Sequence, residues 1–159
     1  MVGVDPLSLR AAMAHVPSGV AVITADTPAG PVGLTVGSFV SASLDPPLLG
    51  FLVQHTSTSW PLIAAQAGFC VNVLAEDATA TCAAFARSGG DKFASLTWTR
   101  GPRGAPLLDG VVTWFECLPH SVSDAGDHLF VLGRVAHLGH GPTDRPLVFC
   151  HGRLQRLAV

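Results

Sequence analysis

Residues 33–52 read GLTVGSFVSASLDPPLLGFL, and this stretch restricts the fold more than any other. It alternates like a strand, and side chains of a strand point to opposite faces in turn. One face carries Val36, Ser38, Val40, Ala42 and Leu44, mostly apolar and packable. The other carries Thr35, Gly37, Phe39, Ser41 and Ser43, small and rich in hydroxyls. Pro46 and Pro47 interrupt the alternation, because proline has no N–H to give a ladder. LLGFLV then resumes as a continuous apolar run, the pattern of a strand buried on both faces. The chain must build a sheet, and one face of it offers hydroxyls to something other than a core.

Further strands are predicted in SGVAVITA and FCVNVLA, both rich in β-branched residues. From residue 107 onward, VVTWFECLPHSVS, HLFVLGRVAHLG and LVFCHGRLQRL read as strands separated by the turns DAGD and GPTDRP. The predicted helices are short. Asp5 caps the first, with Pro6 in its first turn and LSLRAAMAH continuing it. A second runs through TSTSWPLIAAQAG, with Thr58 or Ser59 as cap, Pro61 in the first turn and Gly68 as the stop. A third lies in EDATATCAAFARSGG, capped by Asp77 and ended by Gly89 and Gly90. The fold class is therefore α+β: mainly antiparallel β with a few short helices, arranged as a closed or partly closed barrel. No regular βαβ alternation and no GxGxxG after a strand argue against a dinucleotide-binding doubly wound sheet.

At 159 residues the chain fits one domain, residues 1–159. Charged residues make up 13% of it, against roughly 25% in an ordinary soluble domain. Part of the surface is then expected to be covered, by a second copy, a ligand or a partner. A net charge of −2 without any basic block excludes a surface that tracks nucleic-acid phosphates. The opening MVGVDPLSLR lacks the basic start and apolar core of a signal peptide, and no apolar run is long enough to span a membrane. Cys70, Cys82, Cys117 and Cys150 form no CxxC pair and read as free, buried thiols of a reducing cytoplasm.

Four constellations have chemical potential. HTSTS (55–59) places hydroxyls at a predicted helix start, where they serve an anion or simply cap the helix. RSGGDKF (87–93) sets Arg87 and Lys92 around two glycines, as phosphate ligands or as a solvated loop. DAGDHLF puts His128 at the start of a strand, on a barrel rim or merely beside a turn. FCHGRLQRL flanks Gly152 with His151 and Arg153, either admitting a ligand closely or serving the strand. His137, His140, Cys150 and His151 lack the spacing of a zinc set, and no GxSxG elbow supports a serine hydrolase.

Taken in order, HVPSGVAVITA, GLTVGSFVSASLDPPLL, FCVNVL, DKF, LLDGVVTWFEC, GDHLFVLGRV and the closing HGRL resemble the short-chain flavin reductases. That is the FMN-binding split β-barrel family, which includes reductase components of two-component flavin-dependent monooxygenases. The resemblance implies hydride transfer from NADH to FMN, with FAD and NADPH as the alternative pair. Together with the low charge it also implies a homodimer, which passes reduced flavin to an oxygenase component; the free thiols already set it in the cytoplasm. It places Thr35, Ser38, Ser41, Ser43 and the backbone near Leu44 on the isoalloxazine and ribityl. Ser57 and Thr58 would hold the phosphate, with Lys92, Phe93 and His151 near the cofactor, and His128 and Arg153 towards the nicotinamide side. Val36 and Gly37 stand where the family commonly has Ala-Asn, so one amide contact to flavin is missing, and Leu154 stands where an aromatic often follows Gly-Arg. Alternation sets Ser38 opposite the other hydroxyls, so either the strand bends near Gly37 or Ser38 acts through its backbone. Because the cofactors carry the chemistry, no catalytic triad is needed, and His128 would position the dinucleotide. The alternatives on the same scaffold are a protein that keeps FMN as a prosthetic group and a flavin carrier without reductase turnover.

Overall fold

The computed structural model describes residues 3–158. Helix α1 spans Pro6–Met13, followed by strands β1 (Ser18–Gly19), β2 (Ala21–Thr27), β3 (Gly30–Val36), β4 (Val40–Leu44) and β5 (Pro47–Gln54). Helix α2 (Trp60–Ala64), β6 (Phe69–Val73) and α3 (Thr79–Ala86) come next. Then follow β7 (Trp98–Arg100), β8 (Pro106–Leu108), β9 (Thr113–Ala125), β10 (His128–His140), β11 (Leu147–Cys150) and β12 (Arg153–Arg156).

Seven strands form one antiparallel sheet in the order β3-β2-β6-β9-β10-β5-β4. The sheet curls until β3 packs beside β5 without sharing a ladder with it, which leaves the barrel split along that seam. Its interior is filled by every second residue: Ala21, Ile23 and Ala25 of β2, Leu34 and Val36 of β3, Phe51 and Val53 of β5, Phe69 and Val71 of β6. Phe51 meets Phe69 and Trp60 edge-on, ring centroids 5.6 and 5.7 Å apart. The alternate residues Val20 and Val22 enter a second core with Phe85 of α3, Phe93, Leu108 and Leu147. Residues 20–25 are thus buried on both faces, one set per core.

Two buried polar groups lock the outer layer. Asn72 donates to Thr24 Oγ1 at 3.0 Å and accepts from Leu108 N at 2.9 Å, while Thr24 donates to Pro106 O at 2.6 Å. Glu116, 1% exposed, accepts the Arg103 N–H through both oxygens at 3.0 and 2.9 Å and the Ala105 N–H at 3.0 Å. Both groups fasten the β7–β8 hairpin, and their burial is tolerable because each is hydrogen-bonded.

Several sequence expectations need correction. The stretch 33–44 is two strands, not one: β3 and β4 occupy opposite ends of the sheet order, and residues 37–39 carry the chain between them. The two-face reading therefore fails beyond Val36, and Val40 and Leu44 are 50% and 88% exposed instead of packed. The Asp5 cap holds, accepting from Leu7 N and Ser8 N at 3.0 Å. Ser59 holds the N-cap position of α2, as one of the two expected residues, but makes no side-chain cap bond; Ser57 Oγ accepts the Trp60 N–H at 3.1 Å. Asp77 does not cap α3, whose first position follows Ala78 without any side-chain cap. The β7–β8 hairpin lay outside the sequence reading, and LVFCHGRLQRL is a hairpin turning at His151 and Gly152 (φ 52° and 70°).

Candidate functional site

A cleft of about 490 Å³ opens at the split, where the end of β3, the end of β5, the start of β10 and the end of α3 converge. Thr35, Val36, Gly37 and Ser38 form one wall, Thr56, Ser57, Thr58 and Ser59 another, and Arg87, Lys92 and His128 complete the polar lining. Among the described residues the lining contains no carboxylate. A second cavity of about 240 Å³ lies beyond Lys92 and reaches Phe93.

The first wall is held from behind. Thr35 donates to Cys82 O at 2.9 Å, tying β3 to α3. Ser38 Oγ accepts from Leu52 N at 2.9 Å and donates to Leu52 O at 3.2 Å, pinning the 37–39 crossing to β5. The chain bends at Gly37, which settles the side of Ser38 left open by the sequence. Each hydroxyl has a single proton, so Thr35 and Ser38 face a ligand only as acceptors; the backbone at Val36 and Gly37 lies in the same wall.

Lys92 bridges the two cavities. Its ammonium donates to Gly33 O at 3.2 Å, Ser59 Oγ at 3.3 Å and Phe85 O at 3.4 Å. Burial, and after it the charge of Arg87, hold its pKa below the ordinary lysine value. At the rim, His128 Nδ1 lies 2.6 Å from Asp127 Oδ1. An ionised carboxylate only accepts, so Nδ1 carries a proton there and Nε2 is the nitrogen left for a ligand. That hydrogen bond holds the Asp127 carboxyl below its usual range. The rim is fastened to the hydroxyl segment by His55: its N–H donates to Asp127 O at 3.2 Å, and its Nε2 is 3.4 Å from Asp124.

The cleft thus gathers Thr35, Val36, Gly37, Ser38, Ser57, Thr58, Lys92 and His128 from the sequence candidates, while Phe93 stands in the second core and lines the adjoining cavity. Ser41, Ser43 and Leu44 lie outside it on β4. His151 and Arg153 also lie outside it, at the β11–β12 turn, where the His151 N–H donates to Ala14 O at 2.6 Å and its ring meets His15 edge-on. Gln54, Ser59 and Arg87 line the cleft as well; Ser59 and Arg87 belonged to the HTSTS and RSGGDKF constellations, and nothing in the pattern singled out Gln54.

Residues 13–158 match the flavin reductase like domain. A flavin reductase of Pseudomonas putida is 43% identical over 150 residues, 94% of this chain and 88% of that protein. The HsaB reductase subunit of a flavin-dependent monooxygenase of Rhodococcus jostii is 41% identical over 150 residues, 94% of this chain and 77% of that protein. The fold is also that of the NADH:FAD oxidoreductase SgcE6 of Streptomyces globisporus, solved with NAD and FAD fragments: TM-score 0.91, 33% identity, 99% of this chain and 98% of that one. The chain belongs to the flavin reductase family, on a split β-barrel scaffold.

Proposed function

We propose that the protein transfers hydride from NADH to FMN and releases the reduced flavin to a partner oxygenase. The observation that carries this reading is the cleft lining: hydroxyls and cations without a carboxylate, closed at one rim by an imidazole whose Nδ1 is anchored. Such a lining suits a ligand with many acceptors and an anionic tail, which is the chemistry of a flavin nucleotide. Bound together, nicotinamide and flavin supply the hydride chemistry themselves.

The residues are then assigned to holding and orienting. The backbone at Val36 and Gly37, with the acceptor lone pairs of Thr35 and Ser38, faces the ring and ribityl. Ser57 and Thr58 offer hydroxyl protons to the phosphate, Lys92 braces that wall, and Phe93 supports it from behind. His128, through Nε2, orients the dinucleotide. The relative named as a monooxygenase reductase subunit supports delivery to an oxygenase.

The active form proposed is a cytoplasmic homodimer. Helix α1 buries none of its residues, and Leu7, Leu9 and Met13 are 76%, 55% and 55% exposed. A second copy covering such surface would also bring Ser41, Ser43, Leu44, His151 and Arg153 towards a flavin seated near the subunit interface. The test is aerobic oxidation of NADH with added FMN. Rates that saturate in both support the reading, and absence of NADH oxidation contradicts it.

A further inference from the structure

The two cations of the cleft are not equivalent, and the difference lies in what each has left to donate. An ammonium has three N–H groups, and Lys92 has three protein acceptors, Gly33 O, Ser59 Oγ and Phe85 O, at 3.2 to 3.4 Å. Its donors are fully used in tying the end of α3 to β3 and to the hydroxyl segment. Arg87 lies in the same lining, one residue beyond the end of α3, and its guanidinium makes no hydrogen bond or ion pair among the described residues. Five N–H donors in a fixed fork are therefore unspent there.

The hydroxyls of the same lining show the same asymmetry. Ser57 Oγ accepts from Trp60 N, and Ser59 Oγ accepts from Lys92, so each keeps its own proton; Thr58 has no hydrogen-bond partner among the described residues. Three O–H donors and one guanidinium thus share a cleft whose lining has no acid to neutralise it, and Lys92 adds charge without adding donors. From this we infer that Arg87, not Lys92, is the cation that grips the phosphate of FMN, and that Lys92 is a brace supporting Ser59. This rests on reading the cleft as a flavin site, and it separates two cations that the RSGGDKF loop offered together.

The test is equilibrium binding, read by quenching of flavin fluorescence, with FMN compared against riboflavin, which has the same ring and ribityl but no phosphate. The ratio of the two Kd values isolates the phosphate. The wild-type protein is expected to bind FMN more tightly than riboflavin. Arg87→Gln is expected to raise the Kd for FMN by about tenfold or more and to leave riboflavin where it was. Arg87 is exposed and bonded to nothing in the fold, so this variant keeps its structure. Lys92→Gln is expected to lower the melting temperature and to shift both flavins together.

A wild-type ratio near one, or a ratio unchanged in Arg87→Gln, overturns the assignment. So does a ratio that collapses in Lys92→Gln alone. If Arg87→Gln instead raises the KM for NADH and leaves the flavin ratio intact, the guanidinium belongs to the dinucleotide and the assignment to FMN fails. The reductase reading is judged separately: binding with the expected ratios but without NADH oxidation keeps the Arg87 assignment and removes the reductase.

Discussion

Asp127 is fully exposed in this structure, yet its carboxylate decides which nitrogen of His128 is free. Removing the acceptor lets the imidazole turn and exchange tautomers, which weakens whatever Nε2 holds. Asp127→Ala is expected to raise the KM for NADH by about three- to tenfold while FMN binding stays unchanged. The pH dependence follows from the direction of the shift. A depressed carboxyl gives its contribution in full above the ordinary aspartate value and loses it as pH falls through the lower folded value. Wild-type KM for NADH should therefore climb at the acid end, and the Asp127→Ala profile should be flat there. Identical acid limbs in the two proteins would remove Asp127 from the site. At this scale the sequence was informative: His128, Ser57, Thr58 and Lys92 stood out by residue type and setting. It was silent on hydrogen-bond accounts, which is why it could not rank Lys92 against Arg87.

Among the elements, the close packing of α3 on β3 shapes the wall that carries Thr35. A Cβ at Gly33 would stand 2.7 Å from the Phe85 ring and 3.0 Å from Ile23 O, so only glycine lets the two elements meet. Gly33→Ala is expected to destabilise by about 1–3 kcal/mol, the usual cost of overpacking, read as a lower denaturation midpoint. An unchanged midpoint would mean that α3 is free to move away. Periodicity revealed most strands, because β2, β5 and β6 are buried runs and β9 and β10 are long. It failed at 33–44, where alternation continues past Gly37 although the chain has left one sheet edge for the other. Ser41, Ser43 and Leu44, which the resemblance placed at the flavin, therefore stand on β4 outside this chain's cleft. The β7–β8 hairpin was illegible because each strand has only three residues and its anchors, Asn72 and Glu116, come from strands distant in sequence.

For the whole molecule, a low-charge surface and an unpacked α1 point to a second copy. Leu44, 88% exposed at the tip of β4, gains nothing from the fold of its own chain. Leu44→Asp should therefore leave thermal stability of the isolated chain nearly unchanged and shift sedimentation from dimer towards monomer. A wild-type protein that sediments as a monomer would contradict the proposed assembly. The split barrel leaves a cleft open on one side, which admits flavin and lets it leave. The most direct measurement is the initial rate of NADH oxidation as FMN is raised from below to far above the protein concentration. The rate is expected to keep rising past one flavin per chain and then saturate, with many flavins reduced per protein. A rate that stops rising at one flavin per chain would mean a retained prosthetic group, and would contradict flavin release.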